Sequence, residues 1–175
     1  MPGEGGSGYP TGVDPIDQTP TQPSDYAALN AAWAAMATGL LLASTEDAPP
    51  AGELPVLGLA AFTVTKALAK EKVGVWVREP LVHETAEGRP PKGEGIRAAL
   101  GELITCTRCL GTWSSLGIVG LRVLRPREGR IVASILASAG INDWLQTGFT
   151  LARERANAQQ KLAGAPLEEW PAGVS

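Results

Sequence analysis

The chain has 175 residues, 19% of them charged and 5% aromatic, with a net charge of −3 at pH 7. That length bounds it to one domain plus tails. The charge balance provides no bulk attraction to nucleic acid, and one histidine with two cysteines cannot supply a disulfide framework or most zinc and catalytic constellations.

Residues 1–25, MPGEGGSGYPTGVDPIDQTPTQPSD, are rich in Pro, Gly, Thr and Asp. Such a segment buries too little apolar surface to offset its ordering entropy, which predicts a disordered or extended arm. It holds no Lys or Arg and no apolar run, so it does not read as a signal peptide. A first helix is expected over Tyr26–Ser44, capped by Ser24 or Asp25. The acidic, proline-bearing TEDAPPAGELP ends it. A second is expected over Leu54–Lys72, with Pro55 acceptable in its first turn. Residues 74–95 then form a polar connector punctuated by Gly and Pro. A third helix is expected from Ile96 to Leu124, and RPREGR reads as a basic turn. A fourth starts near Ile131 and runs on until Gly164 and Pro166 stop it. No β pattern competes. The expectation is an all-α bundle of about four helices over residues 26–163, with a loose tail over 164–175.

Bilayer and water both remain open. A crossing helix needs about 20 mostly apolar residues. Ala27–Thr45 is free of charge over that length, whereas the other helices are charge-free only over Leu54–Thr65 and Cys109–Leu121, and the last carries Asn142 and Asp143. Lysines and arginines crowd the connector between the second and third helices, and acids (Glu46, Asp47, Glu53) occupy the one between the first and second. That asymmetry fits a cytoplasmic second connector. Arg122, Arg125, Arg127 and Arg130 at the basic turn run against it.

GELITCTRCLGTW, residues 101–113, holds both cysteines. On one continuous helix, Glu102, Cys106, Cys109 and Trp113 are spaced by 4, 3 and 4 and share a face. Three readings follow. A thiol pair near a helix start has a lowered thiolate pKa, but here it lies about ten residues inside the expected helix, where the dipole has faded, and no βαβ pattern surrounds it. Zinc needs four ligands, to be drawn from Cys106, Cys109, Glu102 and His83 or from the pooled thiols of a dimer. The third reading is a close-packing seam, with cysteine as a small hydrophobe, Gly111 and Ser115 as a small pair, and Trp113 in the core or at an interface. The seam is favoured. Asp143 reads as a buried polar group, either functional or a bundle-facing partner for Lys or Arg. His83 reads as solvated. RVLRPREGR could meet anionic headgroups, though a charged turn is the commoner meaning. P-loop, GxSxG and dinucleotide fingerprints are absent.

The order LGLAAFTVTKAL, VREPL, KGEGIRAALGELITCTRCLGTW, ILASAGINDWL resembles an uncharacterised family of small bacterial and phage membrane proteins marked by a GELxxCxxCxGxW signature. The resemblance covers about residues 54–149. Gly101, Glu102, Leu103, Cys106, Cys109, Gly111 and Trp113 carry the signature, and Arg78 and Pro80 an Arg-x-Pro element; Thr63 stands where relatives usually have a basic residue. The resemblance implies a helical protein of the bacterial cell membrane without known catalytic activity, some relatives being described as sporulation-associated. The resulting expectation is a non-enzymatic protein with no catalytic residues and no cofactor. Its partners would be the lipid bilayer and other proteins or copies of itself, with no specific nucleic acid and no small-molecule substrate. Two rivals stand beside it: a structural component of a phage virion whose N-terminal arm orders on neighbouring subunits, and a CxxC dithiol or zinc protein.

Overall fold

The computed structural model describes residues 20–44 and 48–162, so most of the expected N-terminal arm, residues 45–47 and the tail over 164–175 lie outside the described residues. The described chain is all-α. Six helices take the place of the four expected: α1 (Pro23–Ala43), α2 (Leu54–Ala69), α3 (Val75–Arg78), α4 (Ile96–Thr105), α5 (Thr107–Leu124) and α6 (Pro126–Leu162). Short 3-10 turns at Ala51–Glu53 and Lys72–Gly74 precede α2 and α3. Among the described residues, the only β-type pairing is an isolated bridge between Val82 and Pro91.

α1 starts three residues before the expected Tyr26. Pro23 opens its first turn, and the Gln22 N–H donates to the Asp25 carboxylate at 2.9 Å. Asp25 therefore works from inside the first turn, where a carboxylate also favours the helix dipole, and neither it nor Ser24 is the cap. α6 likewise starts early, at Pro126, a residue suited to a first helical turn because its missing N–H is unneeded there.

The expected third helix is two helices. Cys106 is extended, with φ −83° and ψ 106°, and ends α4 while capping α5. The Thr105 hydroxyl donates to the carbonyls of Gly101 at 3.0 Å and Glu102 at 3.1 Å, a side chain competing for the last turn of α4.

α2 is the central helix, packed against both α5 and α6. Side-chain pairs fix the directions. Tyr26 meets Glu102, Trp33 Nε1 donates to the Thr112 carbonyl, and Leu40 lies over Gly120, so α1 runs parallel to α5. Glu53 pairs with Arg122, so α2 runs antiparallel to α5; Leu59 and Thr63 lie against Gly140 and Lys66 pairs with Asp143, so α2 runs parallel to α6. One end of the bundle thus carries Glu53 and the α5–α6 turn. The other carries Lys66, the cysteines and the connector. Beyond Asp143, α6 projects from the cysteine end with every residue to Gln160 exposed.

The side chains inside are small. Among the described residues, seven of the 12 buried apolar ones are alanines: Ala60, Ala61, Ala69, Ala98, Ala99, Ala133 and Ala137. Gly140 sits so close to α2 that a Cβ there would fall 2.4 Å from Thr63 Oγ1 and 3.0 Å from Leu59. Large apolar groups face outward instead, among them Leu41 and Leu42 on α1, Phe62 on α2, and Ile135, Leu145 and Phe149 on α6.

Candidate functional site

The break between α4 and α5 places the residues of GELITCTRCLGTW. Cys106 ends in the N-cap position of α5, and its sulfur accepts the Cys109 N–H at 3.4 Å. The two sulfurs lie 2.9 Å apart; Cys106 is half-buried and Cys109 exposed. Expecting the motif ten residues inside a helix is thereby corrected, and with it the continuous face from Glu102 to Trp113. The cysteines occupy the first turn of an 18-residue helix, where unpaired N–H groups favour negative charge.

Both thiols are displaced from their usual range. Burial pushes the Cys106 thiol up, but the Cys109 thiol, the N–H groups of Cys109 and Arg108, and the Arg108 charge together hold it below an ordinary cysteine. Burial, then the hydrogen bond and charge of Cys106, push the Cys109 thiol up to about 11. The pair is asymmetric.

Glu102 turns elsewhere. The Tyr26 hydroxyl donates to its carboxylate, and buried Thr21 approaches both, 3.0 Å from the Tyr26 hydroxyl and 3.5 Å from Glu102 Oε1. This triad ties the start of α1 to α4. Among the described residues, no three His, Cys, Asp or Glu side chains gather in a way that would hold a metal ion.

The two glycines of the motif differ. A Cβ on Gly101 would lie 2.8 Å from the Leu81 carbonyl oxygen and 2.9 Å from Pro91, so α4 packs there on the connector rather than on another long helix. Gly111 faces α2 with ordinary room, its nearest neighbour being Thr65 Oγ1 at 3.8 Å. Trp113 is half-buried. An open groove of about 820 Å³ runs between α1, α2 and α5, lined in part by Trp33, Phe62, Lys66, Arg108 and Leu116. Asp143 is half-buried and pairs with Lys66 across the α2–α6 seam, and His83 is exposed in the connector.

The sequence reading gave Arg78 no physical role, yet it is the hub of the connector. It is fully buried, donates from Nε to Glu84 at 2.7 Å, and reaches the carbonyls of Leu68 and Glu71. Arg89 joins the same carboxylate at 2.8 Å and the Ala69 carbonyl at 2.6 Å. Together they satisfy carbonyls left open where α2 ends. Glu84 is held below the usual carboxylate range chiefly by the Arg78 hydrogen bond, against the opposing effect of burial and with further help from Arg89. The sequence signals were an arginine next to Val, Trp and Val in VWVREP and the Arg-x-Pro element that Arg78 forms with Pro80.

Residues 56–149 match the family described as a protein of unknown function, DUF1360. The chain belongs to that family. It is also similar to the sporulation protein YjcA of Bacillus subtilis (strain 168), 28% identical over 102 residues that cover 53% of this chain and 86% of that protein. No solved structure matches. The DUF1360 region begins in the first turn of α2 and ends on α6 past Asp143. It contains the central helix, the Arg78 hub and the cysteine pair, and it leaves out α1.

Proposed function

We propose that this DUF1360 protein is a non-enzymatic helical membrane protein that acts through protein contacts. The observation that carries the reading is the placement of side-chain size: beside Leu57, Val82, Ile104, Leu110 and Ile118 the buried apolar residues are alanines, while many of the large Leu, Ile, Phe and Trp side chains are exposed. In water, burial of large apolar groups drives folding. In a bilayer that drive vanishes, and helices associate through small residues that allow close approach. Among the described residues, two helices are long and apolar enough to cross a membrane: α1, with mean hydropathy 1.4 and none of it buried, and Ala51–Ala69, with mean hydropathy 1.2. At about 1.5 Å per residue, α1 reaches the roughly 30 Å of a hydrocarbon core. The apolar stretches Leu110–Leu121 and Ile131–Asn142, packed on α2, complete the embedded bundle.

Charge placement sets the orientation. Arg122, Arg125, Arg127 and Arg130 lie at the Glu53 end, and Glu53 binds Arg122 through Nε at 2.6 Å and a second nitrogen at 3.1 Å. All other lysines and arginines lie at or beyond the cysteine end. That end faces the cytoplasm, and the free half of α6 extends there as the contact surface for a partner. Contact rather than catalysis is supported by the lone histidine being exposed in the connector.

Membrane fractionation tests the reading. The full chain should pellet with membranes and stay there through alkaline carbonate, and a reporter fused after α6 should report a cytoplasmic position. Release into the supernatant as a monomer stable without detergent would overturn it.

A further inference from the structure

The membrane reading leaves the two thiols unused. We propose that Cys106 and Cys109 are a reversible dithiol–disulfide pair that exchanges with a disulfide-bearing partner at the cysteine end of the bundle.

Three observations support this. The sulfurs are 2.9 Å apart, and a disulfide of about 2.05 Å needs only a small rotation of side chains already facing each other. Cys106 sits where α5 begins, its sulfur accepting a backbone N–H with Arg108 close by. Helix N-termini and neighbouring cations are the settings in which thiols become reactive. Finally, the pair is reachable, since Cys109 is exposed and Cys106 half-buried. Thr107 and Arg108, between them in the chain, line the open groove.

The surrounding charges favour Cys106 as the attacking sulfur. Arg108 on α5 lines the groove as a cation beside the pair, whereas Lys66 on α2 is paired with Asp143 of α6 and with Glu71. The Glu102 carboxylate on α4, four residues before Cys106 in the chain, is engaged by Tyr26 of α1 and by Thr21. The Cys109 thiol stays protonated at neutral pH and serves as the resolving group.

The exchange balances. The Cys106 thiolate attacks one sulfur of the partner's disulfide, forming a mixed disulfide and expelling the other sulfur as a thiolate. That thiolate takes up the proton of Cys109. The Cys109 sulfur then attacks Cys106, the Cys106–Cys109 disulfide closes, and the partner's second sulfur leaves as a thiolate that is protonated from water. Two electrons pass from the dithiol to the partner, and the partner's disulfide becomes two thiols. Reversed, the same steps oxidise a partner dithiol.

The test uses the purified full chain in detergent, equilibrated across mixtures of reduced and oxidised glutathione, quenched with N-ethylmaleimide and weighed intact. The expected result is one transition in which alkylation falls from two adducts to none and the unalkylated monomer is lighter by two hydrogens. Cys109→Ser should trap a mixed disulfide with glutathione and alkylate faster at neutral pH than Cys106→Ser. Two adducts persisting in oxidised glutathione alone, disulfide-linked dimers in place of the internal bond, or stoichiometric zinc on the isolated protein would each overturn the proposal. The wild-type masses decide it even where a serine variant folds poorly, and they do not depend on whether the chain partitions into membranes.

Discussion

Along the seam between α2 and α6, a missing side chain brings the helices together: Gly140 lets Thr63 and Leu59 approach to distances at which no Cβ fits. In the connector, a single large side chain does the work, with Arg78 buried among the carbonyls of Leu68 and Glu71 and the carboxylate of Glu84. Close approach multiplies weak dispersion contacts and needs no partner chemistry. A buried guanidinium needs nearly every donor matched, and the second terminal nitrogen of Arg78, Nη2, has no hydrogen-bond partner among the described residues. The seam should therefore tolerate exchanges of polarity and reject added volume, and the connector should do the reverse.

Gly140→Leu should have the largest effect. Its Cβ alone would stand 2.4 Å from Thr63 Oγ1, and α2 cannot yield without disturbing its contacts with α5. Overpacking of this kind costs about 3 kcal/mol or more, read as a lowered Tm or loss of the folded species in detergent. Leu145→Ala, on the exposed face of α6, is the matching control and should leave Tm nearly unchanged. Equal effects of the two would refute the small-residue seam.

Next is Arg78→Met, which keeps the bulk of the side chain and removes its donors. The carbonyls of Leu68 and Glu71 would lose their guanidinium partner, at about 2 kcal/mol. The loss should appear as faster hydrogen exchange over residues 68–92 with the α2–α6 seam still protected. Arg78→Lys should rescue little, because an ammonium cannot reproduce the planar set of donors that meets Glu84 and both carbonyls.

The long helices were legible in the sequence because composition and length alone mark them. Their termini were less so. Pro23 fell in the expected arm and Pro126 in the expected basic turn, yet both open helices, and the break at Cys106 has no proline or glycine to announce it. That break rests on the Thr105 hydroxyl and the Cys106 sulfur, both bonded to nearby backbone. α3 and the 3-10 turn before it were illegible because the contacts of Arg78 hold them, and those contacts exist only in the fold. The cysteine pair was legible as a motif, but its helix N-terminal setting was not. Asp143 was read as either a functional group or a partner for Lys or Arg, and it lies against Lys66. The arginines of the basic turn run against a charge-based orientation, and Glu53 offsets one of them, Arg122, through a pair 69 residues apart in sequence.

The smallest effect separates the charge in the connector from its shape. Glu84 is held below its ordinary value of 4.5 in the folded chain, first by Arg78 and, despite the opposing effect of burial, further by Arg89. A carboxylate with a depressed folded value binds fewer protons folded than unfolded. Its stabilisation is therefore complete above the ordinary value and is lost as pH falls through the lower, folded one. Local protection of the connector should weaken on acidification below about pH 4.5. Glu84→Gln should lower protection of the connector at neutral pH and flatten this acid limb, since an amide keeps an acceptor for Arg78 but has no proton to gain. An acid limb that persists unchanged in Glu84→Gln would assign it to another carboxylate and remove Glu84 from the hub.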